Sequence, residues 1–116
     1  MKKYVVACAE DIPPGARKIV DINGREIGIL NVEGSYYAFQ NRCPHQGAPI
    51  CLGPVEGTNL SSDPKTYRWG RENEILRCPW HGWEFDLHTG KALVDPTIRL
   101  HSVSIGVEES EIIVYL

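Results

Sequence analysis

Two short cysteine–histidine motifs constrain this chain of 116 residues more than any other feature. The motifs are Cys43-Pro44-His45-Gln46-Gly47 and Cys78-Pro79-Trp80-His81-Gly82. In each motif a proline follows the cysteine and stiffens the loop, while the glycine lets the backbone come close to a bound centre. A spacer, residues 46–77, separates the first histidine from the second cysteine. A fold that uses both motifs must therefore present two rigid loops from distant parts of the chain.

The rest of the chain is typical of an all-β domain built from small antiparallel sheets. Eleven glycines and eight prolines separate short runs of β-branched residues, and no segment shows a sustained helical period. Residues 18–22 and 26–32 flank Asn23-Gly24, a strong hairpin signal. A first strand ends at Cys8, and further strands are predicted at residues 35–40, 74–78, 83–87, 91–94, 101–107 and 111–116.

The segment of residues 42–73 is the exception to the strand pattern. It is rich in proline, glycine, asparagine and serine, and we interpret residues 52–73 as a long loop between two anchored points. Tyr67, Arg68, Trp69 and Arg71 fall within it. These residue types are frequent at interfaces, so the loop could dock a partner. Packing of the aromatic side chains onto the β-scaffold is the favoured interpretation.

Composition excludes several classes of protein. The chain is 42% hydrophobic and 23% charged, which is ordinary for a globular domain and unlike a disordered chain, a collagen or a coiled coil. Its net charge of −3 disfavours a nucleic-acid partner. A single domain of this length, residues 1–116, leaves no room for a two-domain oxygenase or a doubly wound cofactor-binding enzyme.

The chain shows no signal for a membrane. No window approaches the roughly 20 apolar residues of a membrane span, and the apolar run after Lys2 and Lys3 is shorter than the core of a signal peptide. We therefore expect a cytoplasmic protein that does not associate with a membrane. In that reducing compartment four cysteines favour metal ligands or buried thiols over disulfides. Cys8 and Cys51, outside the ligand positions, are predicted to be small buried residues.

The two motifs resemble the Rieske family, whose pattern is C-x-H followed by C-x-x-H. The resemblance is strongest over residues 41–49 and 75–93. It implies one 2Fe–2S cluster, with Cys43 and Cys78 on one iron and His45 and His81 on the other. It also implies a Rieske fold, in which a cluster-binding subdomain of about residues 41–94 is inserted into a basal antiparallel β-part of about residues 1–40 and 95–116. The spacer is longer here than in many members.

The resemblance further implies a low reduction potential. High-potential members carry an extra cysteine in each loop, joined as a disulfide, and the corresponding residues here are Ala48 and Trp80. Those members also have a serine and a tyrosine whose hydroxyls donate to sulfur, and here Trp83 and Phe85 stand in those places. Fewer donors destabilise the more negative, reduced cluster.

By the same resemblance the chain is an electron-transfer component and not itself an enzyme. It looks like a Rieske-type ferredoxin that accepts an electron from a flavoprotein or ferredoxin reductase and passes it to a terminal non-haem iron oxygenase. The remaining histidines, His88 and His101, belong to no ligand-spaced motif, so no mononuclear iron site is expected. The alternatives are a small subunit of a larger reductase of the nitrite reductase type, a detached oxygenase domain and a redox-sensing regulatory module.

Two other interpretations of the motifs need no iron–sulfur cluster. Two cysteines and two histidines could hold structural zinc, although the C-x-H spacing is poor for a zinc finger. The cysteines could also be buried thiols unrelated to the histidines. The 2Fe–2S cluster is favoured over both.

Overall fold

The computed structural model describes residues 1–44, 47–60, 68–80 and 82–116, with the side chains of residues 58–60 and 68–69 left aside. The described residues form nine strands: β1 Lys3–Cys8, β2 Arg17–Ile22, β3 Arg25–Val32, β4 Ser35–Gln40, β5 Val55–Leu60, β6 Arg68–Arg77, β7 Glu84–Asp86, β8 Ser104–Glu108 and β9 Glu111–Tyr115. Two short 3₁₀ turns, Ala9–Asp11 and Ile50–Leu52, complete the regular structure of this part of the chain. The predicted all-β fold of small antiparallel sheets is confirmed.

The chain divides into two compact units. The basal unit comprises Met1–Arg42 and His101–Leu116, and the loop unit comprises Cys43–Leu100. The sequence-based boundaries are about residues 1–40 and 95–116 for the basal part and about 41–94 for the cluster-binding subdomain, and that division stays a prediction. The roles of the two units, one as scaffold and one as cluster holder, stay a prediction.

Two three-stranded antiparallel sheets make the basal unit. Their strand orders are β1-β9-β8 and β2-β3-β4. Alternation along the strands turns one face inward, and the buried side chains form one aliphatic cluster. The members of that cluster are Ile12, Ile22, Ile27, Ile29, Ala38, Val103, Ile112 and Val114. Their burial removes a large apolar area from water and is the main source of stability in this unit.

A buried asparagine fixes the chain segment that follows the first 3₁₀ turn. The Asn31 side chain donates to the Ile12 carbonyl over 2.8 Å, and its oxygen accepts the Gly34 amide over 2.8 Å. The Tyr36 hydroxyl donates to the same Ile12 carbonyl, 3.0 Å away. A buried polar side chain costs free energy unless it is paired, and Asn31 is paired on both its donor and acceptor sides.

Three two-residue turns close the hairpins of the basal unit. Asn23-Gly24, Glu33-Gly34 and Glu109-Ser110 each place both residues at positive φ. This is the type I′ geometry that matches the twist of antiparallel strands. The predicted Asn23-Gly24 hairpin is confirmed, as is the hairpin that ends the chain. Its strand β8 begins at Ser104, three residues later than predicted.

In the loop unit the prediction of a loop over residues 52–73 is wrong for residues 55–60 and 68–73, which lie in strands, while residues 61–67 lie outside the described residues. Two strands, β5 and β6, lie largely within this segment and pair antiparallel, and β7 completes a sheet of order β5-β6-β7. The main-chain ladder holds them together, since the segment lacks an alternating apolar pattern. The pairing skips in register between Glu56 and Thr58, where Arg71 and Asn73 of β6 adopt positive φ. This bulge breaks the period-two pattern that would have revealed the strand.

A strand predicted at residues 91–94 is also wrong. Lys91 and Ala92 make only isolated bridges, to Arg99 and Phe85. The turn before them is organised instead by Asp86, whose carboxylate accepts the amides of His88 and Thr89 at 2.7 and 3.0 Å. The Asp86 amide also donates to the Lys91 carbonyl and the Leu93 amide to the Glu84 carbonyl, both over 2.9 Å, so residues 91–93 lie beside β7 without forming a strand of their own.

Asp86 also forms an ion pair with Arg71 of the bulge. Burial raises the pKa of the Asp86 carboxyl, but the Thr89 amide, the Arg71 guanidinium and the His88 amide together lower it further, so that the pKa lies below its ordinary value. The carboxylate therefore stays charged and ties the bulge of β6 to the turn after β7. Of the four aromatic and basic residues singled out in this segment, only Arg71 has a described side chain; Tyr67 lies outside the described residues.

Within the described ranges, no helix has the length and apolar character needed to cross a lipid bilayer.

Candidate metal centre

The two cysteine motifs fold into loops that are closed in the same way. In loop 1, residues 43–48, the Cys43 amide donates to the Ala48 carbonyl and the Gly47 amide donates back to the Cys43 carbonyl, both over 2.7 Å. In loop 2, residues 78–83, the Cys78 amide donates to the Trp83 carbonyl over 2.8 Å. The Gly82 amide completes that loop by donating to the Cys78 carbonyl over 3.0 Å.

Each loop turns at its glycine. Gly47 has φ of 74° and Gly82 has φ of 70°, a conformation that costs little only for glycine. This explains from local geometry why both motifs place glycine four residues after the cysteine. The closing hydrogen bonds and the glycine turns are therefore equivalent in the two loops, although in the sequence the histidine is third in one motif and fourth in the other.

The thiols at the base of the loops are the buried members of the motifs. Cys43 is 0% exposed and Cys78 is 2% exposed, while Pro44 and Pro79 beside them are exposed. All four cysteines lie within the described ranges, and none of them forms a disulfide. Buried thiolates sheltered from water and from oxidation to a disulfide are the donors that iron–sulfur clusters use.

His45 and His81, the other two predicted ligands, lie outside the described residues. Within the part of the chain that is described, no three histidine, cysteine or acidic side chains are arranged to hold a metal ion. His88 is exposed, and its Nε2 lies 3.9 Å from Oε1 of Glu74. His101 is exposed at the start of the second segment of the basal unit. Cys43 and Cys78 are thus described at the base of the two loops, and their assignment as cluster ligands, like that of His45 and His81, stays a prediction.

The two other cysteines differ from each other. Cys51 is fully buried in the 3₁₀ turn after loop 1, so its predicted role as a small buried residue is confirmed. Cys8 is exposed at the end of β1, and the same prediction is wrong for it. A register shift between Val5 and Ala7 against β9 changes the alternation of sides before Cys8. Periodicity from the sequence cannot reveal such a bulge.

Arg77, directly before Cys78, was not singled out from the sequence. Its guanidinium forms ion pairs with Glu56 of β5 and, over 3.4 Å, with Glu84 of β7. The three residues face one another across the sheet because Arg77 is paired with Glu84 in register. The oppositely charged residues along these strands are the sequence signal from which the cross-strand ion pairs could have been predicted. The arginine thus pins the strand that leads into loop 2 to both of its neighbours.

Trp83, the last residue of loop 2, and Phe85, just after the loop, carry no hydroxyl group. Phe85 is fully buried, and Trp83 is half-buried with its ring centre 6.4 Å from that of Phe85. Trp80 within the loop is 57% exposed. The surface formed by the Trp83 and Phe85 side chains is therefore apolar except for the indole N–H of Trp83.

The chain belongs to the family of Rieske [2Fe-2S] domains, whose model matches residues 2–104. The cofactor of the family is a 2Fe–2S cluster. The fold, the two cysteine loops and this match agree on one class of protein, a Rieske electron-transfer domain.

Several relatives are ferredoxin components of oxygenase systems. The chain is 37% identical over 93 residues to the ferredoxin component of naphthalene 1,2-dioxygenase/salicylate 5-hydroxylase systems of Ralstonia sp., covering 80% of this chain and 74% of that protein. It is 33% identical to the ferredoxin component of the naphthalene 1,2-dioxygenase system of Pseudomonas putida, covering 98% and 96%. The ferredoxin of carbazole 1,9a-dioxygenase from Nocardioides aromaticivorans IC177 has the same fold, with a TM-score of 0.75, 23% identity and coverage of 98% and 97%.

Proposed function

We propose that this chain is a one-electron carrier that accepts an electron from a flavoprotein or ferredoxin reductase and delivers it to a terminal non-haem iron oxygenase. The observation that carries the proposal is the pair of identically closed loops, each with a buried thiol that forms no disulfide. The similarity to ferredoxin components of dioxygenase systems, over nearly the full length of one of them, supports this choice of partners.

The proposed ligands are Cys43 and Cys78 on one iron and His45 and His81 on the other. When bound, the cluster supplies reversible one-electron chemistry. Cys43 and Cys78 would hold it from the base of the two loops, where burial keeps their sulfur atoms from water and the closing hydrogen bonds restrain the backbone. A site that moves little when its charge changes favours rapid electron transfer.

We also propose that the potential lies in the lower part of the Rieske range, which runs from about −150 to +300 mV. Ala48 and Trp80 supply no second pair of cysteines for a bridge between the loops. The neighbouring surface of Trp83 and buried Phe85 supplies no hydroxyl donor to sulfur. A low potential suits a carrier that must reduce an oxygenase. The four thiols, none in a disulfide, favour the reducing cytoplasm as its location.

The histidines of the chain provide a complete test of the ligand set. Alanine replaces each of the four in turn, and iron, sulfide and ¹⁴N hyperfine coupling are measured on the dithionite-reduced protein. We expect His45→Ala and His81→Ala to lose the nitrogen-coupled signal and His88→Ala and His101→Ala to keep it. A signal that survives in all four variants, or zinc in place of iron in the parent chain, refutes the proposed site.

The direction of electron flow needs its own experiment. The reduced chain is mixed in a stopped-flow instrument with a candidate oxygenase, and reduction of the oxidised chain by a reductase and NADH is followed separately. We expect sustained turnover when all three components are present. A tight complex that copurifies with a larger reductase would identify a subunit instead. Partner affinity that depends on oxidation state, without turnover, would identify a sensor.

A further inference from the structure

The segment between loop 1 and β5 is a short rigid strut, which we define as residues 49–53. Its 3₁₀ turn is closed by the Leu52 amide donating to the Pro49 carbonyl and the Gly53 amide donating to the Ile50 carbonyl, each over 3.0 Å. Ile50 and Cys51 in the middle of the strut are fully buried. The strut therefore begins at the end of loop 1 and is anchored in the interior of the loop unit.

At its far end the strut meets the strand that leads into loop 2. A Cβ atom placed on Gly53 would lie 1.8 Å from the carbonyl oxygen of Arg77 and 3.1 Å from that of Ile50. Both of these atoms are backbone, so a side chain at this position cannot be accommodated by rotating a neighbour. The φ of Gly53 is −72°, a value open to any residue. Glycine is required here by space and not by backbone conformation.

Arg77 is held in place from several directions. Its amide donates to the Pro54 carbonyl over 3.0 Å, directly after the strut. Its guanidinium is paired with Glu56 and Glu84 on the strands to either side. Because both the main chain and the side chain of Arg77 are fixed, the carbonyl has little freedom to move away from residue 53.

We propose that the contact between Gly53 and the Arg77 carbonyl sets the spacing of the two ligand loops, with Gly53 as a positioning residue. The contact joins a strut that starts where loop 1 ends to the residue directly before Cys78. This inference rests on the proposed function, since it takes Cys43 and Cys78 as ligands of one cluster. The contact that sets the spacing of the two loops therefore lies outside both cysteine–histidine motifs.

The test compares Gly53→Ala with Gly106→Ala in the cluster-loaded full chain. A Cβ at Gly106 in β8 would meet no atom closer than 3.9 Å, so this variant makes the same chemical change without a clash. The readouts are the EPR g values, the reduction potential and the half-life of the cluster in the presence of a chelator. We expect Gly53→Ala to shift the g values and the potential and to shorten the half-life at least tenfold, whereas Gly106→Ala stays within twofold of the parent.

A Gly53→Ala chain that is folded, with the g values, potential and cluster half-life of the parent, overturns the proposal. Folding is judged by amide hydrogen exchange in β2, β3 and β4 of the basal unit. If those amides lose protection, Pro54→Gly tests the proposal instead. It adds no atom and only loosens the chain directly after the strut. It should shorten the cluster half-life several-fold, and an unchanged half-life counts against the strut.

Arg77→Ala distinguishes the contribution of the Arg77 carbonyl from that of the Arg77 guanidinium. It removes the guanidinium but keeps the carbonyl that meets Gly53 and the amide hydrogen bond to Pro54, so we expect a smaller loss of cluster half-life than in Gly53→Ala. A loss as large as that of Gly53→Ala would transfer the positioning role to the ion pairs and overturn the proposal. Failure of the proposed function is distinguishable from all of these results, since the parent chain itself would then bind no cluster.

Discussion

The basal unit and the loop unit both bury apolar side chains, but they differ in the polar contacts that join their strands. In the basal unit eight aliphatic side chains pack into one cluster under two sheets, and tight turns join the strands. In the loop unit a bulged three-stranded sheet is tied by Arg71 and Arg77 to carboxylates on neighbouring strands and turns. Both units rely on non-directional burial, since Ile75, Leu76 and Phe85 of the loop unit are also fully buried. The loop unit adds directional, partly buried ion pairs.

This difference suits the two tasks that we assign to the units. An apolar core tolerates small changes in geometry at modest cost, because its contacts are many and individually weak. A metal site needs its ligand loops at defined positions, and directional hydrogen bonds supply that definition. The comparison predicts that substitutions in the basal unit change stability and leave the centre intact, while substitutions of the proposed ligands, or of residues that position the ligand loops, change the centre first.

The largest effect is expected from removing one proposed thiol ligand. Cys43→Ala should abolish iron binding, since one iron would lose a sulfur ligand, whereas Cys51→Ala should keep the cluster. The two residues are matched, because both cysteines are fully buried in the loop unit. Iron and sulfide analysis with EPR of the reduced protein makes the comparison. Equal cluster content in the two variants would remove Cys43 from the ligand set.

A cavity in the basal core should act on stability alone. Ile112 is fully buried in the aliphatic cluster, and Ile112→Ala is expected to lower the free energy of unfolding by about 2–5 kcal/mol. Val107→Ala, at a side chain that is 47% exposed, should cost less than about 0.5 kcal/mol. Denaturant titration measures the loss, and the reduction potential of the folded variant should equal that of the parent. A shifted potential would show that the two units are coupled.

A hydroxyl added beside loop 2 should raise the potential. In Phe85→Tyr a donor that reaches a cluster sulfur would stabilise the reduced state by about 1.4 kcal/mol, which corresponds to about 59 mV for one electron. Phe39→Tyr is the control, since Phe39 is an equally buried phenylalanine of the basal unit. Redox titration of both variants decides the question. Equal potentials in the two variants would exclude position 85 as the source of the low potential.

A substitution in the last hairpin turn should raise the free energy of unfolding by about 1 kcal/mol. Ser110 has φ of 65° without being glycine, and Ser110→Gly removes the steric cost of that conformation. Ser104→Gly, within β8 and not in the turn, should destabilise instead, because glycine weakens a strand interior. Thermal unfolding measures both changes. A fall in stability for Ser110→Gly would show that the serine side chain makes a compensating contact.

The smallest effect is expected from Asp86→Asn, which should change how the free energy of unfolding depends on pH. The pKa of Asp86 is lower in the folded chain than its ordinary value, so its contribution to stability is present above the ordinary pKa and is lost as the pH falls through the folded pKa. Asp86→Asn should therefore lower stability at neutral pH, by about 1 kcal/mol or less, and flatten the acid limb of the stability curve. Denaturant titrations between about pH 2 and pH 7 test this. Parallel curves for parent and variant would contradict it.

The parts of the fold that were predictable are those in which local signals and tertiary structure agree. Asn23-Gly24 specified a type I′ turn, and both flanking strands follow at its edges. The missed parts are those in which pairing overrides the local pattern. Strand β5 carries polar residues and Gly57, and β6 contains the bulge with Arg71, so neither shows a period of two.

The same division holds for the candidate site. Both cysteine loops were predictable because each is a local structure whose glycine has a defined conformational role. The ion pairs of Arg77 with Glu56 and Glu84 join residues that are up to 21 positions apart in the chain. Such contacts depend on strand register, which no single segment encodes.

The sequence by itself determined the family, the all-β class and the candidate ligands, because short motifs and turn residues act over a few bonds. Only the tertiary structure decided that the loops close alike, that Cys8 is exposed, and that Gly53 abuts the carbonyl of Arg77. These features arise where separate segments meet. Their positions depend on register, bulges and close packing, which are properties of the assembled chain.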